Sequence, residues 1–408
     1  MSPQSTSRRE FLGRGLAASG LAAAAAGLGP SPRASAAAPQ QPAGTAAPAA
    51  GPLIDRAVAF LRPRQDAKGG WSTQREPGVT ALVAAALLRS GQVPPADPTV
   101  EKALRYLEGF LTDKGGLSEV PHANYATAIS LIAFKYANVN GRYDRTIRSG
   151  QEFLKRMQWD ESEGKPREDV FYGGAGYGGS NSRPDLSNTA FFIDALHDTG
   201  LPPDDPALKK ALVFVSRCQN LKSEFNDQPW AGKVNDGGFI YTAAQGGTSV
   251  AGKDDSGGLR SYASMTYAGL KSMIYAGLTK DDPRVKAATE FIARHYSLDE
   301  NPGLGQVGLY YYYHTFAKTM NALDSPAFEG AAADRPQLRL PNQATSTFTD
   351  ASGRAHDWRA ELVAALAKRQ QPDGSWVNQA DRFMEGDPNL VTAYAILALA
   401  YTRAGAKG

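Results

Sequence analysis

Four side chains able to move protons stand out from this sequence: Asp185, Asp254, Asp255 and His314. Asp185 opens the run Asp185-Leu186-Ser187-Asn188-Thr189-Ala190, immediately ahead of a small, apolar stretch. Asp254 and Asp255 begin Asp254-Asp255-Ser256-Gly257-Gly258-Leu259-Arg260, which brings two carboxylates and a guanidinium to one loop. A carboxylate pair there, or one shared with Asp236, is what glycoside cleavage requires. His314 follows four consecutive tyrosines, Tyr310 to Tyr313, and an imidazole suits proton transfer or metal ligation. Each also has a plainer reading. An Asp ahead of a helix caps it, here together with Ser187. A charged loop is usually solvated and ion-paired. A histidine among aromatics is often a packed core residue. Around these groups Tyr262, Tyr267, Tyr310 to Tyr313 and Phe316 form an aromatic set, either lining a cavity or filling the space between helix layers.

The elements that must position these residues are repeated. Leu61-(three)-Gln65-(three)-Gly69-Gly70-Trp71 returns as Leu366-(three)-Gln370-(three)-Gly374-Ser375-Trp376. Each copy precedes a small-residue helix, and six such helices align as rows. The rows are Val79–Leu87, Ala126–Phe134, Asn188–Leu196, Met265–Met273, Tyr312–Met320 and Val391–Leu399, with Thr in second place in all but the fifth. They are apolar nearly all round, as helices buried on both sides must be. The helices ahead of them are amphipathic, and Asp97-Pro98, Asp205-Pro206 and Asp282-Pro283 mark three starts. Glycine turns lie between the partners. The reading is all-α: an α/α toroid, a six-hairpin α6/α6 barrel, over residues 52–408. Three insertions, Asp160 to Pro184, Leu221 to Gly258 and Ser325 to Arg354, interrupt the spacing. The first two, rich in Gly, Asn, Asp and aromatics, are expected to rim a cavity.

Ahead of the repeats, residues 1–36 read as a twin-arginine signal: Ser7-Arg8-Arg9-Glu10-Phe11-Leu12, an apolar run, then Ala34-Ser35-Ala36. Residues 37–51 are an Ala/Pro-rich leader. The expected destination is periplasmic or secreted. Cleavage after Ala36 removes four arginines and one glutamate, taking the formal charge from +3 to 0. No basic excess is then left for nucleic acid, and no Lys/Arg block asks for a membrane surface. Cys218 is the only cysteine, which excludes a disulfide within the chain and a cysteine-rich zinc site.

The paired Gln–Trp motifs on six hairpins resemble those of the terpenoid cyclase and protein prenyltransferase superfamily, in its prenyltransferase and squalene oxidase repeat form. In that family the glutamine caps backbone groups and the Trp stacks on it, so the motif identifies a fold and not a reaction. The resemblance implies a central cavity for an isoprenoid-like apolar molecule, with Ser187, Tyr262, Tyr267, Tyr312, Tyr313 and Arg260 as binding residues. It also locates two departures. The family's Asp-x-Asp-Asp-Thr-Ala acid falls on Ser187, and a hydroxyl is no acid for an unactivated alkene. Tyr312-Tyr313-His314-Thr315 resembles the prenyltransferase histidine segment, but the partner Asp-x-Cys position reads Tyr262-Ala263-Ser264, which leaves no metal site. No cofactor is implied, and no protein partner is specified. Two other readings stay open: a carbohydrate-active enzyme on the same toroid, and an extracytoplasmic interaction scaffold.

Overall fold

The computed structural model describes residues 48–72, 77–178, 182–325, 328 and 347–403. The signal and nearly all of the leader lie outside the described residues, as does most of the third insertion. Six hairpins follow one another, each an outer helix and then an inner one. They are α1 (Ala50–Leu61) with α2 (Gly78–Arg89), α3 (Pro98–Glu108) with α4 (Ala123–Tyr136), and α5 (Asp144–Arg156) with α6 (Leu186–Asp198). Next come α7 (Pro206–Arg217), a single turn α8 (Ala231–Val234) within the second insertion, and α9 (Ala263–Tyr275). Then α10 (Pro283–Arg294) pairs with α11 (Leu309–Leu323), and α12 (Trp358–Arg369) with α13 (Pro388–Thr402). A hairpin of β1 (Thr347–Thr349) and β2 (Ala355–Asp357) leads into α12. The first helix starts at Ala50, inside the stretch expected to be leader.

The inner helices touch in the order α2, α4, α6, α9, α11, α13 and back to α2, so the ring is closed. All six aligned rows fall within it. Outer helices begin where the Asp-Pro pairs place them: Asp97, Asp205 and Asp282 accept from the amides two residues on.

The repeated residues satisfy backbone groups that helix ends leave open. Each Gln Nε2 donates to the carbonyl of its own glycine turn and to the first turn of the next outer helix. Gln65 joins Gly69 O and Thr99 O, Gln158 joins Gly173 O and Ala207 O, and Gln219 joins Gly237 O and Arg284 O. Gln370 joins Gly374 O and Leu53 O, tying the last hairpin to the first. Both Trp side chains are fully buried and donate from Nε1 to the last turn of the preceding helix, at Leu61 O and Leu366 O.

The recurrent Thr has the same kind of task. Thr80, Thr127, Thr189, Thr266 and Thr392 accept, through Oγ1, the amide of the residue just after the glycine pair or Gly-Ser turn. In these five hairpins glycine opens the turn because the next outer helix crosses there. At Gly173, with φ +82°, a Cβ would stand 1.8 Å from Lys210 O. In the fifth hairpin Tyr313 replaces Thr, and its hydroxyl donates outward to Leu298 O.

The first two insertions join outer-helix C-termini to inner-helix N-termini, at one end of the barrel. The third follows α11, whose C-terminus lies at the other end of the barrel.

Candidate functional site

Along each inner helix a stripe of side chains faces the barrel axis, one every three or four residues. At the N-terminal ends this stripe is aromatic on four of the six helices and encloses a cavity of about 320 Å³. Ser187 and Phe191 of α6, Tyr311 of α11, Tyr394 of α13 and Tyr125 of α4 form its body. The rings meet edge to face: Phe191 lies 5.1 Å from Tyr125 at 89°, and Tyr311 lies 6.0 Å from Tyr394 at 71°. The Ser187 hydroxyl stands 3.2 Å from that of Tyr311. Tyr177 and Tyr241, from the first two insertions, reach the wall from above.

The mouth is completed by the connection between α12 and α13, which places Arg382, Phe383 and Met384 over it. Glu385 anchors this connection from a buried position. Its carboxylate accepts from the amides of Tyr310 and Tyr311 at 2.9 and 2.8 Å, capping α11 in place of a local residue, and from Asn378 Nδ2. Among the described residues only four large apolar side chains are exposed, and three rim this mouth: Tyr177 (43 %), Phe383 (44 %) and Met384 (59 %). Apolar surface thus runs from the barrel axis out to solvent.

The residues singled out in the sequence divide between this cavity and elsewhere. Ser187 and Tyr262 line it. Tyr267, Tyr312 and Tyr313 do not; they are packed between the two rings, with Tyr267 against Tyr312 and Phe316. The hydroxyls of Tyr312 and Tyr313 donate outward to Ser297 O and Leu298 O, so this part of the aromatic set is core. Asp254 closes its own turn, accepting from Ser256 N, Ser256 Oγ and Gly258 N, and these bonds hold its carboxyl below the usual range. Asp255 and Arg260 are exposed on that loop, away from the cavity lining. Asp236 is held by Gly238 N and Ser261 Oγ. His314 lies one turn deeper than Tyr311, in a separate small void, whereas Tyr262 and Ser264 are at the mouth end. Among the described residues no three of His, Cys, Asp and Glu converge in a way that holds a metal ion, and no helix is long and apolar enough to cross a membrane.

Asp185 is a buried cap. Its carboxylate accepts from Asn188 N at 2.9 Å and Asn188 Nδ2 at 2.8 Å. Ser187 takes no part in the cap and faces the cavity. Burial pushes the Asp185 carboxyl from its ordinary 3.8 up to about 6, against the pull of the Asn188 bonds and the nearby Tyr241 hydroxyl. That shift makes it a weaker acid than usual, the wrong direction for protonating an alkene.

A pH dependence follows. A carboxyl whose pKa rises on folding contributes stability that is complete below its unfolded pKa and lost as pH climbs through the folded value. Asp185→Asn keeps a capping residue and removes the titration, and the Asn188 amide, whose Oδ1 has no hydrogen-bond partner among the described residues, can turn to meet it. Between about pH 4 and pH 7 the wild type should lose about 2 kcal/mol relative to this variant. Denaturant midpoints across that range check it; parallel curves for the two proteins would refute the assignment.

A layer of buried charge, which the sequence reading passed over, lies below the cavity. Asp194 of α6 bonds Lys271 of α9 at 2.7 Å and Lys318 of α11 at 3.0 Å, and Lys318 also reaches Asp198 at 2.8 Å. Asp194, Lys271 and Lys318 are 2 %, 2 % and 3 % exposed. Burial pulls Lys271 below its usual range, because it shares its carboxylate with a second lysine. Lys318 is equally buried but has two carboxylates, which hold it well above. The signal was present: these three residues occupy the seventh place of three successive rows.

No protein-family model matches the sequence, and no curated protein matches it. Solved structures do. One is a variant of the type II terpene cyclase MstE from Scytonema, in complex with its substrate geranylgeranyl dihydroxybenzoate, with 13% identity over 86% of this chain and 97% of that one, TM-score 0.50. A protein from Actinoplanes is 17% identical over 86% of this chain and 99% of its own, TM-score 0.49. A family 88 glycosyl hydrolase from Bacteroides vulgatus is 10% identical over 88% of this chain and 100% of its own, TM-score 0.44. At such identities the likeness is one of fold: the chain is an α/α toroid.

Proposed function

We propose that this protein is a terpenoid-cyclase-like toroid that holds an isoprenoid-like apolar molecule in its axial cavity without starting acid-driven cyclisation. The carrying observation is that the position corresponding to the cyclase acid, Ser187, faces the cavity as a hydroxyl, while no Asp or Glu is among the described lining residues. An aromatic interior and an apolar rim favour a hydrocarbon body. The same lining argues against glycoside cleavage, which needs two carboxylates across the scissile bond. A pure scaffold role leaves the open cavity without a purpose. In this reading the molecule works outside the cytoplasm, and an exported form beginning at Ala37, seen by mass spectrometry, is the corresponding check.

The test of binding is displacement of a fluorescent apolar probe by farnesene. Wild type should release the probe, and Ser187→Trp, which fills the cavity, should weaken farnesene binding by at least about tenfold. No displacement by the wild type would end the binding reading. Cyclised products after incubation with geranylgeraniol would end the claim that acid chemistry is absent.

A further inference from the structure

Below the main cavity lies a second void of about 20 Å³, room for one water-sized group. The two are neighbours, since Phe191 lines both. Along α6 the axis face descends Ser187, Phe191, Asp194; along α11 it descends Tyr311, His314, Lys318. The residues lining the lower void thus sit about one helical turn, about 5 Å, deeper than Phe191 and Tyr311. Two of its lining residues carry an unpaired atom: Asp194 Oδ1 and His314 Nδ1 have no hydrogen-bond partner among the described residues, although both side chains are more than nine-tenths buried. Unpaired polar atoms in so dry a place are rare in native proteins and call for a partner.

We propose that this chamber is the polar end of the ligand site, and that it takes a terminal hydroxyl passed beyond Phe191, the rest of the ligand remaining among the aromatic rings. The proposal rests on the apolar-binding reading above and narrows it to an isoprenoid alcohol. An alcohol donates to Asp194 Oδ1 and accepts from His314 Nδ1–H, satisfying both atoms with one oxygen. Other end groups fit worse. A carbonyl has no hydrogen for the carboxylate. A carboxylate would add a second negative charge beside Asp194. An ammonium would face Lys271 and Lys318, and a diphosphate exceeds the volume. Burial beside Lys318 and Lys271 keeps His314 neutral, which leaves Nδ1 a donor in one tautomer.

The experiment compares farnesol, farnesyl methyl ether and farnesene by probe displacement from the full-length protein and its His314→Leu variant. Farnesol should bind the wild type at least about tenfold more tightly than the ether, because a site built for a hydroxyl leaves polar atoms unpaired with an analogue lacking it. In His314→Leu that preference should fall below about threefold while farnesene binding is kept. Nitrogen NMR of the labelled imidazole gives a readout that needs no variant: the His314 Nδ1 signal should move with farnesol and not with farnesene. Equal affinity for alcohol and ether, or an unmoved His314 signal with farnesol bound, would overturn the hydroxyl assignment and leave apolar binding standing. If none of the three displaces the probe, both readings fall together.

Discussion

Asp194→Ala is expected to destabilise the protein by about 3–5 kcal/mol, the usual consequence of removing one partner from a buried ion pair. The carboxylate is shared by Lys271 and Lys318 at 2.7 and 3.0 Å. Lys318 keeps Asp198, but among the described residues Lys271 has no other hydrogen-bonded carboxylate and is left as a desolvated cation. Urea unfolding should show a lower midpoint at an unchanged slope, since the surface exposed on unfolding is the same. The double variant Asp194→Leu with Lys271→Met should recover much of the loss, because apolar replacement of a buried pair is often neutral. A loss below about 1 kcal/mol in Asp194→Ala would mean that water reaches this layer.

Trp376→Ala should be comparably severe, about 3–5 kcal/mol, from the emptied volume and the lost indole bond. The residue is fully buried, donates to Leu366 O, and has its own amide held by Thr392. It sits beside Gln370, whose amide reaches Leu53 O on the first hairpin. Trp71→Ala, at the equivalent place in the first hairpin, should lose a similar amount. Thermal melts of both variants are the measurement. A shift for Trp376→Ala no larger than that of a surface substitution, within about 0.5 kcal/mol, would remove the motif from the structural role given to it.

These two sites show why one level of the molecule was readable in the sequence and the other was not. Gln370, Trp376, Thr392 and Gly374 act on backbone groups a few residues away or on the next helix, so their spacing repeats wherever the geometry repeats. The fold was therefore legible from side chains that satisfy turns. The cavity depends instead on which face of an inner helix meets the axis, and a helix apolar all round gives no hydrophobic clue to that. Tyr311 lines the cavity while Tyr312 and Tyr313, next to it, point to the outer ring. Each residue turns the helix by about 100°, so choosing Tyr312 and Tyr313 selected the wrong side. The charged seventh places carried the missing orientation. Counting back seven residues, two turns, from Asp194 and Lys318 lands on Ser187 and Tyr311, both cavity residues. Arg382, Phe383 and Met384 left no comparable trace, because Glu385 docks their connection onto a helix distant in sequence.

Because α13 packs on both α1 and α2, the beginning and the end of the helical region are spatial neighbours. Any hairpin can then serve as the opening one. A gene rearranged to start at α3 and to finish with α2, with a short bridge joining the old ends, retains every interface between helices. The boundary between the last unit and the first is also the final one available during synthesis, so the polypeptide waits as an open arc until its closing pair emerges.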